Sequence, residues 1–171
     1  MFNLLRRSKV LDIITYGNET LTKKAEPVTE FGPELAAFIE ELYEAMKRGR
    51  GIGLAAPQVD RLVRVFVTGV DGDKLRAFVN PEIVLTSPEE VDYEEGCLSL
   101  PGLYTMVKRP ETIKIQAQNE KGRPFVLEAS GLLARVLLHE NDHLNGVLFI
   151  DRLNAAKREK ALAQYLRKVR M

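Results

Sequence analysis

The chain has 171 residues, of which 45% are hydrophobic and 29% charged, a balance typical of one globular domain with its own core. The formal net charge is +1, so the chain as a whole has no electrostatic basis for binding DNA or a membrane surface. No apolar run approaches the roughly 20 residues of a membrane span, and residues 1–7 lack the apolar core and cleavage site of a signal peptide. The single cysteine excludes an internal disulfide and fits a reducing compartment, so we expect a cytoplasmic protein.

The N-terminal part of the chain predicts one extended segment and one helix. Residues 10–15 read as a short strand or an extended segment, and Gly17 and Asn18 read as a turn. A helix is predicted over residues 33–47, because Pro33 suits the first helical position and the apolar residues that follow recur at helical spacing.

Short strands joined by turns fill the middle of the chain, which favours antiparallel pairing. The predicted strands cover residues 62–67, 75–79, 83–85, a segment near Val91, 112–117 and 125–127. Two further helices are predicted over residues 131–144, with Ser130 as N-cap, and over residues 154–169. We therefore predict an α+β fold in which mainly antiparallel sheets pack around the central helix, flanked by an N-terminal helix and a basic C-terminal helix.

The central helix carries the sequence H-E-N-D-H at residues 139–143, and this H-E-x-x-H motif contains both histidines of the chain. Residues four apart on a helix have Cβ atoms about 5–6 Å apart, so His139 and His143 can reach one metal ion. Glu140 lies beside them and can reach a water molecule bound there. The alternative interpretation is a solvated polar stretch near a helix end.

A catalytic metal site usually has a third protein ligand, and the residues alone leave its identity open. Glu159 and Asp151 are downstream carboxylates. Cys97 lies in residues 94–102, a glycine- and proline-flanked segment that can direct a side chain into a site, although a lone cysteine is also an ordinary buried apolar residue. Residues 51–58 contain two glycines that allow close approach of a ligand, or simply form a tight turn.

Taken together, three segments resemble the signature motifs of the peptide deformylase family: G-x-G-L-A-A-x-Q at residues 51–58, E-G-C-L-S at residues 95–99 and H-E-x-x-H at residues 139–143. The resemblance extends over residues 10–153 and implies one catalytic domain over residues 1–171. It also implies an enzyme that hydrolyses the formyl group from the N-terminal formylmethionine of newly synthesised polypeptides and releases formate.

The resemblance implies the role of each site residue. The metal ligands are Cys97, His139 and His143, with water in the fourth position, and Glu140 moves the proton between that water and the departing amine. The oxyanion is held by the side-chain amide of Gln58 and the backbone N–H of Leu98.

The same resemblance implies where the peptide substrate binds. Backbone groups of Ile52, Gly53 and Gly96 pair with it like an added strand. We expect Leu132 and Val136, which share a helix face with the first motif histidine, to form the methionine pocket together with Ile52. The resemblance names Fe²⁺ as the metal, although one thiolate and two imidazoles also suit Zn, Ni or Co.

Some positions depart from the family's usual pattern or leave a second interpretation open. Leu138 stands where glutamine is common, Asp60 where glycine is common, and residues 18–20 replace a stretch that often contains proline; these put hydrogen bonding around the ligands and local turn geometry in question. Residues 157–170 are basic and are either a solvated helix face or a contact with ribosomal RNA. The rival functions are a general zinc peptidase with an acidic third ligand and a non-catalytic metal protein.

Overall fold

The computed structural model describes residues 9–171, so the segment searched for a signal peptide lies outside the described residues. The three helices are α1 (Pro33–Arg48), α2 (Gly131–Leu144) and α3 (Ala155–Val169), and single 3₁₀ turns cover Glu19–Thr22, Ala56–Val59 and Phe149–Arg152. The strands are β1 (Gly53–Ala55), β2 (Val65–Thr68), β3 (Arg76–Thr86), β4 (Glu90–Cys97), β5 (Leu100–Pro110), β6 (Thr112–Gln118) and β7 (Pro124–Ser130). The α+β prediction is confirmed. No helix within residues 9–171 is long and apolar enough to cross a membrane.

The three predicted helices are present, and their ends agree with elementary helix chemistry. Helix α1 begins with Pro33, whose missing N–H costs no hydrogen bond at the first helical position, and its last turn contains Lys47 and Arg48, whose positive charges interact favourably with the helix dipole. Helix α2 differs from the prediction in one detail. Ser130 occupies the N-cap position, but its side chain makes no capping hydrogen bond, because Ser130 still belongs to β7 and the chain turns into the helix at Gly131, whose φ is +60°.

The strands form an antiparallel five-stranded sheet in the order β1-β2-β3-β6-β7 and a separate β4-β5 hairpin. The two strands predicted over residues 75–79 and 83–85 are wrong as separate elements, because β3 runs through both and absorbs the irregularity at Asn80 as register shifts against β6. Strand β5 was not predicted because Pro101, Gly102 and Pro110 resemble loop residues. It exists because it pairs with β4 along almost its whole length.

Helix α2 occupies the centre of the molecule, as predicted. It contacts the five-stranded sheet through β1, β2, β6 and β7, and it contacts the hairpin through β5. Its apolar residues Ala134 and Leu137 are fully buried against the sheet. A different core cluster joins the hairpin to α3 and includes Leu103, Phe149 and Tyr165. The H-E-x-x-H motif therefore lies where the two sheets meet.

Gly146 allows the chain that follows α2 to pass in close contact with the 3₁₀ turn at Glu19–Thr22. Its φ is +71°, and a Cβ atom there would lie 2.5 Å from the backbone oxygen of Thr22. Gly72 has a similar φ of +83° but open space around it. A side chain at either position would therefore strain the backbone, but only at position 146 would it also clash with neighbouring backbone atoms.

We predict that Gly72→Ala lowers the free energy of unfolding by about 1–2 kcal/mol through left-handed strain alone. Gly146→Ala adds a clash with backbone and should cost about 3 kcal/mol or more. Denaturant unfolding of both variants measures the difference, and equal losses would contradict the close packing at Gly146.

Candidate active site

A cleft of about 560 Å³ lies between β1, the β4-β5 hairpin and α2. Every site residue predicted from the sequence lines this cleft except His143, which is buried. The three motif segments are far apart in the chain and come from different elements, so the fold brings them together only in the tertiary structure.

Cys97, His139 and His143 offer ligand atoms that all lie within 4.8 Å of one another. The Cys97 Sγ atom is 3.4 Å from His143 Nε2. A tetrahedral ion with bonds of about 2.0–2.3 Å keeps its ligand atoms roughly 3.5 Å apart. The spacing therefore fits one metal ion, and these three residues are the only such group found in residues 9–171.

The alternative third ligands are not near the histidines. Asp151 lies in the 3₁₀ turn after α2, where its carboxylate accepts hydrogen bonds from Leu148 N and from Arg158 Nε at 2.9 Å. Glu159 is exposed on α3. The structure therefore groups Cys97, and neither carboxylate, with the two histidines.

Glu95 orients His139. One carboxylate oxygen of Glu95 lies 2.8 Å from His139 Nδ1, which directs the other ring nitrogen toward Cys97 and His143. The imidazole also stacks on Phe149, with ring centroids 5.8 Å apart. The ring is thus fixed by one polar and one apolar contact.

Glu95 is itself held by two buried arginines. Arg109 donates two hydrogen bonds to its carboxylate, at 2.6 and 3.0 Å, and Arg135 donates a third at 2.8 Å. Burial raises the pKa of Glu95, but the hydrogen bonds from His139 and Arg109 outweigh it and lower the pKa to about 2. Glu95 is therefore a carboxylate at any physiological pH.

The ligand cluster favours a positive charge. Burial lowers the pKa of His139, yet its hydrogen bonds to Cys97 and Glu95 and the charges of Cys97 and Glu140 raise it to about 10. Burial and the charge of His139 lower the pKa of His143 well below its ordinary value. Anionic groups that hold a proton on His139 would equally stabilise a cation, so the donor set suits a metal ion in charge as well as in spacing.

Glu140 is buried beside this cluster, and its Oε2 atom has no hydrogen-bond partner within residues 9–171. Burial raises its pKa, the charge of His139 lowers it and that of Glu95 raises it again, with a result of about 7. A carboxyl group with that pKa can accept and release a proton near neutrality. The absence of a side chain on Gly53 makes room for it, since a Cβ atom there would lie 2.7 Å from Glu140 Oε1.

Gln58 is oriented by the backbone that precedes it. Its Oε1 atom accepts a hydrogen bond from Ala55 N at 3.0 Å, so its Nε2 atom points at Ser99 Oγ, 3.1 Å away, and at Cys97 Sγ, 3.5 Å away. Leu98 lies between β4 and β5, outside both strands. Two potential N–H donors thus lie beside Cys97.

The cleft also offers a place for an extended peptide. Within residues 9–171, strand β1 pairs only with β2, so it is an edge strand whose other edge faces the cleft. Ile52 and Leu132 are each 39% exposed and line the same cleft as the buried Val136. Across the cleft, the ring of Tyr104 covers Gly96, where a Cβ atom would be 2.5 Å from the tyrosine Cε1.

Two of the departures from the family pattern contact one another. Asp60 has a left-handed backbone with φ of +63°, which explains why glycine is common there, and its carboxylate accepts a 2.6 Å hydrogen bond from Thr20 Oγ1. Thr20 belongs to the second unusual stretch. Leu138, the third departure, is partly buried against the core of the five-stranded sheet, so an apolar contact stands where a glutamine amide is common.

Several supporting residues had no role in the sequence-based prediction. Arg135 precedes His139 by one helical turn, so helical spacing could have identified it as a neighbour of the site. No local pattern identifies Arg109, because its pairing with Glu95 depends on the β4-β5 register. Asp142 binds both Arg109 and Arg152 and thereby ties α2 to β5 and to the following 3₁₀ turn.

Comparison with known proteins points to the same family as the three motifs. The family described as polypeptide deformylase matches residues 10–159. A peptide deformylase of Treponema pallidum (strain Nichols) is 47% identical over 149 residues, covering 87% of this chain and 91% of that protein. Among solved structures, a peptide deformylase from Legionella pneumophila has a TM-score of 0.89 at 39% identity and covers 95% of this chain and 96% of that one. One from Thermus thermophilus has a TM-score of 0.87 at 42% identity, covering 92% and 96%.

The resemblance seen in the motifs is therefore confirmed over most of the chain. Together with the geometry of the cleft, it establishes that the chain belongs to the peptide deformylase family, the enzymes that remove the formyl group from the N terminus of newly made polypeptides.

Proposed function

We propose that Cys97, His139 and His143 bind one divalent metal ion in this deformylase and that Glu140 is its acid/base. The observation that carries the proposal is the convergence of the three ligand atoms beside the buried carboxyl group of Glu140, whose Oε2 atom has no partner in the part of the chain that the structure describes. When bound, the ion would supply Lewis acidity, which lowers the pKa of water and polarises the formyl carbonyl.

Residues of the chain transfer the proton and stabilise the oxyanion. Glu140 takes the proton of the attacking water and gives it to the amine nitrogen as the formyl C–N bond breaks, so that formate and a free N terminus leave. Gln58 Nε2 and Leu98 N–H donate hydrogen bonds to the oxyanion that develops on the formyl oxygen. Their position next to Cys97 supports this assignment.

The substrate peptide binds along the open edge of β1. Backbone groups of Ile52 and Gly53 on one wall and of Gly96 on the other pair with it as with an added strand. Its methionine side chain packs against the apolar side chains of Ile52, Leu132 and Val136, which line the cleft. Because Gly53 and Gly96 have no side chains, the backbone of the substrate can come close to the backbone of both walls.

The resident metal in this proposal is Fe²⁺, as the family resemblance implies. The donor set of one thiolate and two imidazoles also binds Zn, Co and Ni, so the ligands alone do not select iron. Metal analysis of protein purified without oxygen decides the identity, and protein fully active with zinc and devoid of iron would contradict it.

Four proteins test the assignments together: the wild type, Glu140→Ala, Cys97→Ser and Glu159→Ala. The wild type releases formate from a formyl-methionyl peptide. Glu140→Ala should keep its metal and lose about 10²–10⁴-fold in kcat, because only the proton transfer is removed. Cys97→Ser should lose the metal itself, whereas Glu159→Ala should retain both metal and activity.

Formate assays and metal content of the same samples separate the hypotheses. Metal loss in Glu159→Ala with retention in Cys97→Ser would favour the zinc peptidase with an acidic ligand. Absence of formate release from fully metal-loaded wild type would reject the catalytic assignment altogether.

We also propose that residues 1–171 act as one catalytic domain. We propose further that α3 contacts the ribosome in the cytoplasm. Helix α3 buries Ala161 and Tyr165 against the rest of the molecule, which supports a single unit. Lys157, Lys160 and Arg167 are exposed and lie along one side of the helix, beside its buried face. A basic stripe of this kind suits the phosphates of ribosomal RNA.

The charge-reversed variant Lys157→Glu/Lys160→Glu should co-sediment less with ribosomes, and the difference should shrink as salt is raised. The matched control is Lys121→Glu/Arg123→Glu, which reverses two exposed charges on the β6-β7 turn. Equal co-sedimentation of both variants, or recovery of the native protein outside the cytoplasmic fraction of cells, would contradict the proposal.

A further inference from the structure

The N-terminal segment crosses the two loops that carry the oxyanion donors. Ile14 N donates a hydrogen bond to the backbone oxygen of Gln58 at 2.8 Å, and Tyr16 N donates one to the backbone oxygen of Ser99 at 2.8 Å. Residues 13–16, hereafter the strap, belong to no strand and are not among the motif residues.

The short span of the strap limits how far apart the two loops can be. The backbone nitrogens of residues two positions apart are at most about 7 Å apart, even in a fully stretched chain. The strap therefore keeps the backbone oxygens of Gln58 and Ser99, which its two amides bind, close to one another. Gln58 follows β1 of the five-stranded sheet, whereas Ser99 lies in the β4-β5 hairpin, so the two loops belong to separate sheets.

The strap is anchored on both sides. Ile13 packs against the core cluster of α1, β1 and β2, and Ile14 and Tyr16 pack against the cluster that joins the hairpin to α3. The Tyr16 ring meets the Tyr165 ring edge-on, with centroids 6.1 Å apart. A few residues further on, Thr20 binds Asp60, just beyond Gln58.

A direct polar link between the loops cannot perform this task during turnover. It runs from Gln58 Nε2 to Ser99 Oγ, and in the proposed function the same Nε2 group turns to the oxyanion. The hydrogen bonds of the strap use backbone groups only, so they persist when Gln58 engages the substrate.

We infer that the strap is a positioning device that sets the spacing between the Gln58 amide and the Leu98 N–H. This inference rests on the proposed function, because it takes those two groups as the oxyanion donors. Ile14 and Tyr16 act through their backbone amides and touch no reacting atom.

Two changes remove one hydrogen bond each. Ile14→Pro deletes the amide proton at position 14, and Ile14→Ala is the matched control that shortens the side chain and keeps it. Incorporation of the α-hydroxy analogue of tyrosine at position 16 replaces only the amide by an ester. The ester variant retains the tyrosine side chain. If Ile14→Pro does not fold, the ester variant by itself tests whether the hydrogen bonds of the strap position the two loops.

Hydrogen exchange gives a readout that is independent of activity. Each change should speed exchange in residues 55–60 and also in residues 98–100, because loosening either end releases both loops. In steady-state assays kcat should fall about tenfold or more and KM should stay within about twofold, as expected when donors are displaced by about 1 Å. Ile14→Ala should resemble the wild type in both measurements.

Gln58→Ala, measured in parallel, tells the two possible failures apart. Faster exchange confined to the loop that lost its hydrogen bond would overturn the strap inference. Unchanged kcat in the strap variants would also overturn it if Gln58→Ala loses turnover. If Gln58→Ala itself keeps full turnover, the oxyanion assignment in the proposed function is wrong.

Discussion

The active site depends on one buried carboxylate. Glu95 is 5% exposed and accepts hydrogen bonds from Arg109, Arg135 and His139. A buried charge of this kind costs several kcal/mol of desolvation unless its partners are well placed. Here the partners come from two other elements, because Glu95 lies on β4, whereas Arg109 lies on β5 and Arg135 and His139 lie on α2. These contacts therefore fix the position of the β4-β5 hairpin relative to α2.

That constraint explains how distant residues can form a metal site. Cys97 follows Glu95 by two residues on β4, so the contact that orients His139 also brings the thiol to the histidines. Asp142 extends the network, since it binds Arg109 and Arg152 and fixes the far side of α2. The site is therefore held by a charge network on the hairpin side and by the strap on the side of Gln58. The charge network acts through side chains, since Glu95 orients the His139 ring, whereas the strap acts on backbone position.

Local patterns were sufficient for the helices and for the histidine pair. The period of α1 and the four-residue spacing of His139 and His143 are properties of consecutive residues, which is why they could be read directly. The role of Cys97 could not be decided from its neighbours and needed the family resemblance. Strand β5 and the role of Arg109 escaped prediction because both depend on pairing with β4, and such pairing is a tertiary property. Ser130 shows the reverse case, where a good local signal for a cap was overridden by the end of β7.

The most direct test is the metal affinity of Glu95→Gln, determined by competition with a chelator and compared with that of Glu94→Gln. Glu94 is the exposed neighbour of Glu95 on the same strand and serves as a matched control. Because a carboxylate partner of a metal-binding histidine typically contributes about 10–100-fold in affinity, Glu95→Gln should bind the metal more weakly by that factor, and Glu94→Gln should match the wild type. Equal affinities in all three proteins would contradict the view that the Glu95 carboxylate assembles this metal site.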